Sequence, residues 1–212
     1  LSEALKKDPG SVVNLNISKD TMSRDLESSM LHAIESSLEK KVNLLDLFDQ
    51  TSVFQSITGG DTLYKKLAML LTENHPSNVL ENAGTSKLDW LGEETKKELI
   101  QVSAESASPR HVFMYAQLFS AEPYGKKIIE QAARLSPFEV IGRATKLMPR
   151  ENYVDIIRDA VNVMLINDPH TILYNTIVLD LITTDAQERD QLLEKTVRAT
   201  VDEEEGEYVL VS

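Results

Sequence analysis

Cysteine is absent from this 212-residue chain. That excludes disulfides, thiolate nucleophiles, cysteine-based zinc sites and iron–sulfur clusters. Histidine is scarce: His32, His75, His111 and His170 lie far apart. None belongs to a His-x-x-x-His or Glu-x-x-His spacing, which would set two ligands on one helix face. No EF-hand loop is present, so no metal ligand and no cofactor is assigned. Long apolar runs are missing too. Nothing approaches the ~18 consecutive apolar residues of a membrane span, and no membrane role is expected. No basic-then-apolar leader is visible, and the start at Leu1 reads as a cut or processed form.

The motifs of common chemistries are missing in the same way. Thr58-Gly59-Gly60-Asp61 precedes a helical pattern. It lacks the lysine and hydroxyl of a phosphate-binding loop, and Asp61 would repel a phosphate. It reads as a loop with Asp61 as the helix cap. There is no Gly-x-Ser-x-Gly elbow and no recognisable Ser, His and Asp series, so no catalytic residue is assigned. Asn16-Ile17-Ser18 matches a glycosylation sequon by pattern alone. A carboxylate pair stays open, because the separation that glycoside chemistry needs is set by folding rather than spacing. Glu73, Glu122 and Asp168 stand beside helix ends.

What is present is core material and charge. The chain is 42% hydrophobic and 26% charged, with a formal net charge of −12. An acidic whole repels phosphate backbones and argues against general nucleic-acid binding. Six of the seven prolines, Pro76, Pro109, Pro123, Pro137, Pro149 and Pro169, stand at or near the start of a helix-like run, where the missing N–H costs nothing. Pro109, Pro123 and Pro137 are fourteen residues apart. That is too short for a helix-pair repeat of roughly 34–47 residues, and no solenoid is read.

The apolar spacing predicts helices over 21–42, 61–73, 93–107, 109–120, 123–135, 137–148, 149–167, 171–184 and 185–200, with a short cluster at Leu44, Leu45, Leu47 and Phe48. Ser136 with Glu139, and Asp185 with Glu188, read as capping pairs. The last two turns of 149–167 are nearly apolar all round, so that helix should be central and form a hairpin with 171–184. Alternation at Val13, Leu15 and Ile17, and strand formers in Glu207–Val211, predict short β segments near the two ends. The fold class is therefore mainly α: an irregular or orthogonal bundle of short helices with short terminal β segments. The expected organisation is an extended segment at 1–19, a small helical subdomain at 20–73, a loop-rich connection at 74–92, a main helical domain at 93–200 and an acidic tail at 201–212.

Two features point to interaction rather than chemistry. Residues 110–150 carry +4 inside a chain of −12, through Arg110, Lys126, Lys127, Arg134, Arg143, Lys146 and Arg150 against three glutamates. This reads as ordinary solvated faces, as a docking face for an acidic partner such as the tail of a second copy, or as a nucleic-acid contact. Asp202-Glu203-Glu204-Glu205 is followed by Tyr208, Val209, Leu210 and Val211, an end suited to anchoring on a neighbour. Asp180 sits among apolar residues and reads as a buried acid or as a wet helix edge, with Arg158 or His170 as partners.

The expected function is a non-enzymatic structural or protein-interaction module in a larger assembly, with a virion or other particle as one setting. A protein partner or self-association is expected, in a reducing compartment or an assembled particle. The alternatives are a helical hydrolase using carboxylates, and a regulatory adaptor that contacts nucleic acid through 110–150.

Overall fold

The computed structural model describes residues 23–85 and 87–209, with side chains through residue 202. Among the described residues there are thirteen α-helices joined by turns and short 3₁₀ segments, and no strand. The chain is mainly α, as its apolar spacing predicts. Val13, Leu15, Ile17, Leu210 and Val211 lie outside the described residues. Residues 207–209 belong to the last helix, so the extended conformation expected for Tyr208 and Val209 is corrected. Adding a residue to an existing helix is cheaper than nucleating a new element.

The chain divides into two compact units between Ser106 and Ala107, one helix later than the connection at 74–92. Pro76 is the reason. It opens a helix, Pro76–Gly84, inside the stretch that composition marks as loop.

A long first helix, α1 (Arg24–Lys40), is followed by one pattern five times: a short helix, a tight connection and a second, mostly longer helix. The short helices are α2 (Leu44–Phe48), α5 (Pro76–Gly84), α7 (Pro109–Met114), α9 (Pro137–Arg143) and α11 (Pro169–Tyr174). Their partners are α4 (Gly60–Asn74), α6 (Glu93–Ser106), α8 (Gly125–Leu135), α10 (Val154–Asn167) and α13 (Ala186–Val209). The first and last connections contain α3 (Thr51–Ser56) and α12 (Ile177–Ile182), and the others contain 3₁₀ turns. Successive starts are 32, 33, 28 and 32 residues apart.

The recurrence reaches single positions. Three residues after each start stands a buried apolar side chain: Leu47, Val79, Val112, Val140 and Ile172. Seven after stands a small one: Thr51, Ala83, Ala116, Ala144 and Thr176. Sixteen after, in the first four repeats, the N–H of Gly60, Gly92, Gly125 and Tyr153 donates to the carbonyl three residues back, at 3.3, 3.2, 2.9 and 2.9 Å. At Gly60 and Gly125 the second helix comes so close to the connection that a Cβ would run into the carbonyls of Phe54 and Phe119. The absence of a repeat is therefore corrected. Pro109 and Pro137 open repeats, whereas Pro123 and Pro149 lie in connections, so even proline spacing hides the true period.

One residue closes each of three repeats and opens the next. His75, Ser136 and Asp168 end a long helix and precede a proline at the first turn of the following one. Asp168 also caps it, accepting from the Thr171 N–H at 3.2 Å and the Thr171 hydroxyl at 2.6 Å. The capping box expected at Ser136 does not form. Its side chain makes no cap bond, and Glu139 pairs with Arg143 one turn along instead.

In the first unit α4 packs on α2, α3, α5 and α6. Tyr64 lies at its centre, fully buried. In the second unit α7, α9 and α11 pack in a row, and α8, α10 and α13 form a second row. The expected hairpin is modified there. α10 starts at Val154, and its partner segment is broken into α11 and α12 around Asn175-Thr176. Nor is α10 apolar-buried all round: Val163 is 41% exposed and Ile166 84%.

Candidate functional site

The second row leaves a groove between α8 and α10 of about 510 Å³. On α8, Ile128, Ile129 and Ala132 face the core, and Lys126, Lys127 and Arg134 stay exposed. Lys126, Glu130 and Arg134 follow one another at four-residue spacing along one side of the helix, and all three line the groove. The facing wall on α10 carries Asp155 and Asp159, also one turn apart. Apolar surface between the walls comes from Ala133, Ile156, Ala160 and Val163. Two alanines at a helix–helix contact fill little of the space between the walls, which leaves room for an occupant.

The electrostatics of the walls is mixed. Asp155 is 92% exposed, with Arg158 3.9 Å away on its own helix. Behind the groove Tyr153 is buried and donates its hydroxyl to the Ser120 carbonyl. Burial pushes its phenol upward, and the nearby Glu130 charge adds to the rise.

Of the seven cations read as one docking face, Arg110 lies apart on α7 and the remaining six divide into two sets. Lys126, Lys127 and Arg134 lie on α8. The others serve the fold. Arg143 pairs with Glu139. Lys146 donates to the Met114 carbonyl at 3.0 Å. Arg150 donates to the Leu181 carbonyl at 2.9 Å and to that of Asp180, while Arg158 donates to Ile182 at 3.0 Å. These carbonyls end α12, where helix geometry leaves them without intrahelical partners. A second cavity of about 380 Å³ lies beside Arg150, Arg158, Thr184 and Glu188, with both guanidinium groups committed to those carbonyls.

Asp180 is on a wet edge, half exposed, and pairs with Arg189 rather than with Arg158 or His170. The hydrogen bond that Arg189 donates to Asp180, with the Asp180 charge, holds the Arg189 guanidinium pKa above its usual value. Among the described residues no group of three or more His, Asp or Glu is arranged to hold a metal ion, and no helix is long and apolar enough to cross a membrane. The groove residues that sequence reasoning missed are Glu130, Asp155, Asp159 and Val163. Their signal was the four-residue spacing of Asp155 with Asp159 and of Lys126, Glu130 and Arg134. No family model, curated protein or solved structure matches the chain.

Proposed function

We propose that this chain is a non-enzymatic protein-interaction module acting within a larger assembly, and that the α8–α10 groove is its docking surface. The observation that carries the reading is the groove itself: two charged helix ridges with apolar surface between them, open to solvent. Stacked helix-pair repeats commonly bind partners on the surface their helix rows present. Apolar side chains beside the groove support the reading. Leu135 (71% exposed) and Phe138 (51%) adjoin the lining residues Arg134 and Pro137, and Ile166 lies one turn beyond Val163.

Selection of peptides from a displayed library against the full chain tests this. The expected result is a set of binders whose affinity falls at least about tenfold when Val163→Arg places a long cation in the groove. If every binder is indifferent to Val163→Arg and to Ala133→Glu, the groove is not the docking surface.

Self-association is a second reading. Lys127 and its neighbours stay exposed on α8, and α13 carries Asp202–Glu205. Light scattering on the full chain and on a version ending at Thr200 tests it: association that disappears with the tail supports it, and monomers in both cases remove it. Carboxylate hydrolysis draws on Glu130, Asp155 and Asp159 lining one groove. The openness of Asp155 weighs against it, because a general acid gains its raised pKa from desolvation. Commitment of Arg143, Lys146 and Arg150 to the fold weighs against a nucleic-acid surface spread over 110–150.

A further inference from the structure

We propose that the α8–α10 groove takes a basic amphipathic helix of a partner protein, one that places a lysine or arginine between Glu130 and Asp159. The inference rests on the docking reading above and names the chemistry of the partner.

The internal repeat supplies the comparison. In the first unit, Lys65 stands twenty-one residues after the start of its repeat and Glu98 twenty-two after the start of the next. These side chains join α4 to α6 by an ion pair of 2.7 Å. The same two positions on α8 and α10 hold Glu130 and Asp159. Where one pair of repeat helices has a cation opposite an anion, the other has two anions, and they line the open groove. Like charges cannot bridge the helices, and they disfavour each other at close range. Asp155, one turn from Asp159 and 3.9 Å from Arg158 on its own helix, is the third carboxylate lining the groove. Relative to the α4–α6 pair, the position opposite Asp159 holds an anion where Lys65 stands, and the groove's own cations, Lys126 and Arg134, lie one turn to either side of it.

The surroundings define the rest of the occupant. Ala133, Ile156, Ala160 and Val163 offer apolar surface that suits the stripe of an amphipathic helix. Asp155 and Asp159, spaced by four, match basic residues spaced by four on that helix. Lys126 and Arg134, one turn to either side of Glu130, favour acids toward the two ends of the partner segment. A second copy is not the occupant favoured here, because residues 202–207 of α13 are strongly acidic and would meet Glu130 and Asp159 with the wrong sign.

Fluorescence anisotropy on the full chain tests the proposal with three labelled synthetic peptides of ~18 residues, long enough to hold a helix on a surface. One has a leucine stripe with lysines spaced by four, one replaces those lysines with glutamate, and one scrambles the lysine peptide. The lysine peptide should bind best. Glu130→Lys, which restores the Lys65-type arrangement opposite Asp159, should weaken it by roughly tenfold. Glu130→Gln should weaken it by a smaller factor, and thermal melts should show both variants folded. Equal binding of the scrambled peptide means general attraction to an acidic chain and overturns the proposal. So does lysine-peptide binding that neither Glu130 variant changes. If the glutamate peptide binds instead and Val163→Arg blocks it, the partner class is wrong and the docking reading stands. If none of the three binds while library peptides do so at the groove, this proposal alone falls. If nothing binds at the groove, both fall.

Discussion

Single residues show which polar groups serve the fold. Tyr64 stacks on Phe48 at 5.1 Å, meets Phe54 edge-on at 5.0 Å and lies 5.2 Å from Trp90. Its hydroxyl donates to the Phe48 carbonyl at 2.8 Å. Burial pushes this phenol well above its ordinary value, and the Asp49 charge adds to the rise. A raised folded-state value means that the neutral phenol stabilises the fold. That contribution is complete below the unfolded value near pH 10 and declines as pH rises beyond it. Urea midpoints should therefore fall steeply between about pH 10 and 12. Tyr64→Phe should lose about 1 kcal/mol at pH 7 through the broken hydrogen bond and should show a shallower alkaline decline. An unchanged alkaline slope would remove Tyr64 as a source of it. Arg150 is the second case. Arg150→Met leaves the Asp180 and Leu181 carbonyls at the end of α12 without their donor and should cost about 2 kcal/mol, read as a denaturation midpoint. Peptide affinity at the α8–α10 groove should stay unchanged, which separates a structural cation from a docking one.

At the scale of elements, the two connection glycines make a paired prediction. Gly60→Ala and Gly125→Ala should each destabilise by about 1–3 kcal/mol, because the new methyl meets backbone rather than a movable side chain. Gly84, at the end of α5, has open space around its Cβ position. Gly84→Ala should be neutral or stabilising by up to about 1 kcal/mol. Thermal melts of the three variants check the contrast. If Gly125→Ala melts with the parent chain, the close approach of α8 to its connection is not a constraint. The helix starts at Pro109, Pro137 and Pro169 were legible because a proline in the first turn acts locally. Breaks inside the runs 109–120, 137–148 and 171–184 were not legible. There tertiary packing overrode a continuous helical pattern, and Tyr115, Arg143-Ala144 and Asn175 became corners. The capping pattern at Ser136 misled for a related reason: Glu139 had a stronger partner in Arg143.

For the whole molecule, the consequence is modular stability. Repeat architectures draw their stability from each repeat and its immediate neighbours. Residues 107–212 expressed alone should keep a helical circular-dichroism spectrum, unfold cooperatively and bind the same groove-directed peptides as the full chain. A non-cooperative melt of that piece would show that the second unit depends on the first. The period itself was present in the sequence from Leu44 onward, in Leu47, Val79, Val112, Val140 and Ile172 and in the small residues four positions later. It was obscured because Pro123 and Pro149 imitate the proline marker, and because successive repeats differ in length by up to five residues.

The sequence by itself determined the helical class, the proline-marked helix starts and the exclusion of thiol chemistry. Each follows from residue type or from spacing within one or two helical turns. Only the tertiary structure decided which charges meet. Lys65 reaches Glu98 across 33 residues and Arg150 reaches Leu181 across 31, while Glu130 and Asp159 are brought to line one groove. Charge interactions depend on distance in space, and that distance was fixed by helices stacking on buried apolar faces, so the division of one apparent basic face into structural donors and a mixed-sign groove could not be read from order along the chain.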